Sequence, residues 1–236
     1  MTNKEIIGKK KFTGLKFIIS KIRYLEREIL KEEKILLEKE LSLNFKRIEQ
    51  DIGQKLFDQE GDLSIKIEVK DYSAIDPLFY HLDSLIMELR RFIEYSLRFI
   101  SVLSDFPDEL KVQAICNQIR PDSKDTKSVF VQHLEKEQKL FYEYLQSKLD
   151  WFDELNKLRT KLTHYGIVNE ISDFEINLFW DKGNTHLQKP SKIEIPRLEF
   201  LNENIGSFIK RHGSNTDDLF RTTVDLASKI LKIELK

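Results

Sequence analysis

The stretch Leu149-Asp150-Trp151-Phe152-Asp153-Glu154-Leu155-Asn156-Lys157-Leu158-Arg159-Thr160-Lys161-Leu162-Thr163-His164-Tyr165-Gly166 sets the reading of the whole chain. At about 100° per residue on a helix, Trp151, Leu155, Leu158, Leu162 and Tyr165 fall within an arc of about 80°. An apolar stripe that narrow needs a partner surface, so the segment is predicted as one amphipathic helix packed in a bundle. Gly166, tolerant of a left-handed backbone, is placed as the C′ residue behind it.

Upstream, the same period continues through Phe130, Leu134, Phe141, Leu145 and Phe152, as one helix bent near Leu149 or as two helices end to end. From about Leu15 to Phe57 there is no Pro and Gly53 is the only Gly. Apolar residues at Leu15, Ile18, Ile22, Leu25, Ile29 and Leu36 predict one or two long helices there. A second stripe (Leu30, Leu37, Leu41, Phe45, Ile48, Ile52, Leu56) drifts off the first, which predicts a change of packing partner along the helix. Asp76-Pro77 reads as an N-cap with a first-turn proline. Leu78, Leu82, Leu85, Leu89, Phe92, Ser96 and Phe99 form the stripe that follows, ending before Pro107. Asp105 to Ser128 is a polar loop region with a short helix around Leu110 to Ile119.

Downstream of Gly166 the pattern changes. Phe174, Ile176, Leu178 and Trp180 alternate, Asp181-Lys182-Gly183-Asn184 signals a turn, and Ile193 and Ile195 alternate again, which predicts a small β-hairpin. Gln59 to Ser73, with its alternating Ile65, Ile67 and Val69, is read as an extended connector. The end of the chain is read as a helical stretch near Leu201 to Arg211, a break at Gly213-Ser214-Asn215, and a helix capped by Thr216 with Asp217 and Asp218 in its first turn. The predicted fold class is mainly α: an antiparallel helical bundle of long helices with a small C-terminal β-hairpin. It is read as a single domain over 1–236, with the long N-terminal helix at 15–57, core helices at 76–166, and the hairpin and C-terminal helices at 167–236.

Composition agrees. The 236 residues include only 8 Gly and 5 Pro, where average usage is about 7% and 5%, so long regular elements are favoured over many short strands. Charged residues make up 33%, yet 39 basic and 40 acidic side chains leave a net charge of −1. Such balance argues against indiscriminate coating of nucleic acid or membrane, which needs a basic excess. The single cysteine, Cys116, permits no internal disulfide. With no signal-peptide core and no run of about 20 apolar residues, this points to a cytoplasmic protein.

Phosphate-binding glycine loops, HExxH, CxxC and calcium-loop patterns are absent. No two of His81, His133, His164, His186 and His212 stand at i, i+4 on a predicted helix, so neither a metal site nor a cofactor is expected. Chemistry is therefore sought on the polar side of the 149–166 helix. Measured from Trp151, Arg159 lies near 80°, Thr163 near 120°, Asn156 near 140°, Thr160 near 180°, Asp153 near 200° and His164 near 220°, all about. This arc is polar but mostly uncharged and suits a partly buried polar surface, whereas Glu154, Lys157 and Lys161 read as a solvated flank. Arg90-Arg91 reads as paired with Glu88 or Glu94 on a solvated face.

Imidazole titrates near neutrality, and guanidinium presents a charged fork to phosphate oxygens. RNA carries its own nucleophile, the 2′-hydroxyl, so such a pair suffices for transesterification. Arg159 and His164 are about 140° apart on one helix. A two-fold dimer with facing helices would bring two of each into one cleft.

The pattern Leu155-x-x-Leu158-Arg159-Thr160-Lys161-Leu162-Thr163-His164-Tyr165-Gly166, preceded by Trp151, resembles the Arg-x4-His motif of HEPN domains (higher eukaryotes and prokaryotes nucleotide-binding domains). These are all-helical modules, many of them metal-independent endoribonucleases. The resemblance covers roughly Asp76 to Tyr165. It implies Arg159 and His164 as the catalytic pair acting across a homodimer, with Asn156, Thr160 and Thr163 supporting them. It further implies an RNA substrate, a toxin or anti-phage defence role, and an antitoxin or regulatory protein as a further partner. One departure stands out: the residue after the Arg is often Asn, His or Asp in active members, and here it is Thr160. The alternative is a non-catalytic HEPN-like module for helical dimerisation or nucleotide binding. A third class is a scaffold built on the 15–57 helix.

Overall fold

In the computed structural model the backbone is described for residues 3–55, 63–67, 76–104, 136–165, 174–179, 192–194, 198–232 and 235. Side chains are described for 3–39, 77–103, 139–141, 143–162, 198–232 and 235. The described elements are helix α1 (Asn3–Lys55), strand β1 (Leu63–Ile67), α2 (Asp76–Ser104), α3 (Lys136–Ser147), α4 (Leu149–Tyr165), β2 (Phe174–Phe179), β3 (Lys192–Glu194), β4 (Glu199–Phe200), β5 (Glu203–Asn204) and α5 (Ile205–Leu231). The mainly helical class with small antiparallel strands near the C-terminus is as the sequence predicts. Among the described residues, no helix is long and apolar enough to cross a membrane.

The chain divides into two compact units. One comprises Met1–Leu25, Asp83–Gly166 and Arg211–Lys236, the other Glu26–Leu82 and Ile167–Lys210. The first unit is helical. Its core takes Leu15, Ile18 and Ile22 from α1, Leu85, Leu89, Phe92, Ser96 and Phe99 from α2, Phe141 and Leu145 from α3, and Phe152, Leu155 and Leu158 from α4, all buried. Each large apolar side chain so buried contributes about 1.5–3 kcal/mol, and this removal from water, rather than helix propensity, holds such helices. Helix α1 begins at Asn3, well before Leu15, and carries Gly8 and Gly14 inside it. A Cβ at Gly8 would lie 2.5 Å from Leu231 Cδ1, and one at Gly14 would collide with the Tyr95 hydroxyl, so both glycines serve close packing.

α3 and α4 are separated only at Lys148, whose amide makes a tight 3.1 Å bond to the Leu145 carbonyl; Phe152 N then donates to Lys148 O at 3.0 Å. The predicted bend near Leu149 is therefore two helices end to end.

In the second unit, Ile29 and Leu36 of α1 are buried, as are Leu78 and Leu82 of α2. Leu30, the first residue of the predicted second stripe, is exposed, Leu37 is half-buried, and the side chains of the other five lie outside the described residues. The connector containing Ile65 and Ile67 forms strand β1, making a three-stranded antiparallel sheet of order β1-β2-β3. Its register places Leu63, Ile65 and Ile67 opposite Leu178, Ile176 and Phe174. Apolar positions are thus paired with apolar positions, the pattern that fixes a register. The predicted hairpin is the β2–β3 pair, with Leu178 opposite Ile193.

The expected helical start near Leu201 is instead a second, two-residue hairpin. Leu201 and Asn202 both have positive φ (57° and 61°) between β4 and β5, the pattern of a type I′ turn. Buried Glu33 of α1 accepts the Leu198 amide at 3.1 Å beside this hairpin. Helix α5 starts at Ile205, where the Asn204 side chain caps it by accepting the Ser207 amide at 3.2 Å.

The predicted break at Gly213-Ser214-Asn215 does not occur: α5 runs unbroken from Ile205 to Leu231. Thr216 does not cap a helix; its hydroxyl donates to the His212 carbonyl one turn back, at 2.8 Å. Tertiary partners override the local turn signal. Lys148 Nζ donates to Asn215 Oδ1 at 3.0 Å and pairs with Asp218 at 2.8 Å. Arg23 reaches the Gly213 carbonyl at 3.5 Å and pairs with Asp217. Tyr144 donates to Asp218 at 3.0 Å. Lys148 in turn holds the Asp218 carboxyl below its usual range, while burial and then Asp218 push the Tyr144 phenol up. The readings of Gly166, of the 110–119 helix and of the turn at 181–184 lie outside the described residues.

α5 ends at Leu231, and exposed Lys232 takes the C′ position at φ 53°. A non-glycine residue there carries a left-handed cost. Lys232→Gly should therefore stabilise the protein by about 1 kcal/mol, read as a higher urea midpoint at unchanged slope.

Candidate functional site

α4 carries all five residues singled out by the motif. Its apolar side is buried through Trp151, Leu155 and Leu158, which turns the opposite side outward. Arg159 and Thr160 are exposed, and Asn156 and Asp153 are half-buried. Of the four described residues of the polar arc, two are thus exposed and two half-buried. The Thr160 hydroxyl donates to the Asn156 carbonyl at 2.9 Å, so its proton is engaged on its own helix and its oxygen keeps acceptor capacity. Thr163 and His164 belong by backbone to the last turn of α4, and their side chains lie outside the described residues. Arg159 and His164 are five residues apart, a rise of about 7.5 Å along the axis.

The core-facing side of α4 holds a polar string that sequence spacing did not reveal. Trp151 Nε1 donates to Nδ1 of His212 at 2.8 Å, and His212 is fully buried. Because Nδ1 accepts that bond, the ring proton of the neutral imidazole belongs on Nε2. Nε2 lies 3.7 Å from Glu154 Oε1, an electrostatic contact longer than a hydrogen bond. Glu154 also receives a two-pronged bond from Arg211, at 2.6 and 2.8 Å. Glu154 is thus not simply a solvated flank residue: half-buried, it joins α4 to α5. Burial works to raise its carboxyl, but His212 and Arg211 outweigh this and hold it at about 2. Arg211 is the stronger contributor in our reading, since its geometry is bidentate. His212 and Glu154 lie on different helices far apart in sequence, so no periodicity could have linked them.

On α2, Arg90 pairs with Glu94 at 3.2 Å and Arg91 with Glu88 at 3.5 Å, as the sequence suggests. The face is solvated only in part: Arg91 is exposed, but Arg90 and Glu88 are both buried, and Lys21 of α1 binds Glu88 at 2.6 Å. Structural ion pairing therefore occupies this cluster. The described residues hold one group of metal-ligating side chains, Glu28, Glu32 and His81, in the second unit.

No protein-family model, curated protein or solved structure matches the chain.

Two expectations follow from the polar string. Trp151→Phe keeps the ring but leaves a buried imidazole nitrogen without its donor, so thermal or urea unfolding should report a loss of about 1–3 kcal/mol. Glu154 has its native pKa below the usual 4.5. A carboxyl lowered in this way stabilises the fold above its unfolded pKa and loses that contribution as pH falls through the native value. Glu154→Gln should cost about 1 kcal/mol or less at pH 7, because the pair is partly exposed. The difference from wild type should close between about pH 4.5 and pH 2; a difference constant with pH would contradict the assignment.

Proposed function

We propose that the protein is a HEPN-like, metal-independent endoribonuclease that works as a homodimer and acts as a toxin or anti-phage defence effector. The observation that supports this reading is an Arg and a His five residues apart at the end of a helix whose opposite side is anchored in a core, with the Arg exposed. In this reading His164 moves a proton, as general base on the 2′-hydroxyl or general acid on the leaving 5′-oxygen. Arg159 stabilises the charge that grows on the phosphoryl oxygens. Asn156, Thr160 and Thr163 orient the pair. The motif residues of one helix diverge by about 140°, so a second copy supplies the rest of the cleft. An antitoxin or regulatory protein would act by covering that cleft.

The net charge of −1 shapes the expected behaviour. With no bulk basic field, RNA capture rests on the few cations of the cleft, so binding should depend only weakly on salt. Purified protein is expected to cleave RNA in EDTA, leaving 2′,3′-cyclic phosphate ends, and to elute as a dimer. Arg159→Ala and His164→Ala should each lower the rate by about 10²–10⁴-fold, with circular dichroism unchanged. Cleavage that persists in both variants would remove the assignment. A folded dimer without cleavage under any condition would favour the non-catalytic dimerisation or nucleotide-binding module.

A further inference from the structure

Glu28 and Glu32 lie one turn apart on α1, and His81 sits near the start of α2, all in the second unit. All three are half-buried, and one ligand atom from each lies within 4.8 Å of the other two. Carboxylates at i, i+4 on a helix disfavour each other. Lys31 answers that repulsion at Glu28 alone, through a 3.1 Å bond to Oε2. Among the described residues, neither Glu32 nor His81 has a hydrogen bond or ion pair. Two partly desolvated polar groups are thus left facing a third, and a single cation could satisfy all three together.

We propose that Glu28, Glu32 and His81 bind a divalent transition-metal ion of the zinc class. One imidazole nitrogen with two carboxylate oxygens is a borderline donor set that suits zinc, whereas magnesium and calcium prefer oxygen alone. Neighbouring ligands on a tetrahedral zinc stand about 3.4 Å apart, so the three donor atoms need close by no more than the flexible Glu side chains allow. Three protein ligands leave a position for water or a further ligand. The ion would tie α1 to α2 within this unit. The site shares no residue with the α4 motif, so it goes beyond the proposed nuclease reading and stands or falls independently of it.

The triad joins residues of two helices, so no spacing along one helix marks it.

The test is calorimetric titration of ZnCl2 into the full-length chain stripped with EDTA and returned to metal-free buffer. The expected result is one ion per chain and a rise in melting temperature with added zinc. His81→Ala and Glu32→Gln should each weaken binding at least tenfold, with helical circular dichroism retained. Lys31→Gln should tighten it, because Lys31 competes with the ion for Glu28. Absence of stoichiometric binding overturns the proposal, as does an affinity unchanged by both His81→Ala and Glu32→Gln, which would mark adventitious binding. Should His81→Ala fail to fold, the near-isosteric Glu32→Gln and the opposite effect of Lys31→Gln still decide the matter.

Discussion

The hydrogen bond from the Trp151 indole into the buried imidazole of His212 fixes how α4 lies against α5. Burying an imidazole without partners is costly, so α4 is held at the rotation that delivers the indole N–H to Nδ1. At that rotation Leu155 and Leu158 enter the core and Glu154 meets Arg211 at its edge. Arg159 and Thr160 are then left facing outward. The exposure of Arg159 and Thr160 is thus a consequence of packing on the other side of the same helix.

The same end of α5 shows how a helix survives an unfavourable sequence. Gly213, Ser214 and Asn215 favour a turn, at a cost of up to about 1 kcal/mol for the glycine alone. Against this stand Lys148 on Asn215 and Asp218, Arg23 on Gly213 and Asp217, and the His212 ring under Trp151. Several charge-assisted bonds, together with burial of Leu219 and Leu226 further along, outweigh one weak local preference.

Balanced charge has a similar logic. Basic side chains on α2 that might have met a phosphate backbone are engaged by Glu88 and Glu94. Among the described residues, Arg90 and Arg91 are therefore held in ion pairs and Arg159 stands exposed on α4. The second cluster of chemically capable residues, around His81, belongs to the other unit.

Periodicity determined most of the helical framework. The stripes Leu15 to Leu36 and Leu78 to Phe99 are buried as read, the interruption near Leu149 is present, and the β2–β3 pair forms, because an apolar face must leave water whatever its partner. The position of Thr160 opposite the α4 core stripe, and of Arg159 beside it, was legible for the same reason. What the sequence could not reveal depends on residues remote along the chain. β1 becomes a strand only because β2 offers it a ladder. The glycines of α1 are explained only by Leu231 and Tyr95, and Glu154 reads as solvated until Arg211 and His212 are placed beside it. The sequence by itself determined which faces are apolar. Only the tertiary structure decided which polar groups meet, because a hydrogen bond or ion pair requires two particular atoms at one distance, and no local pattern encodes that.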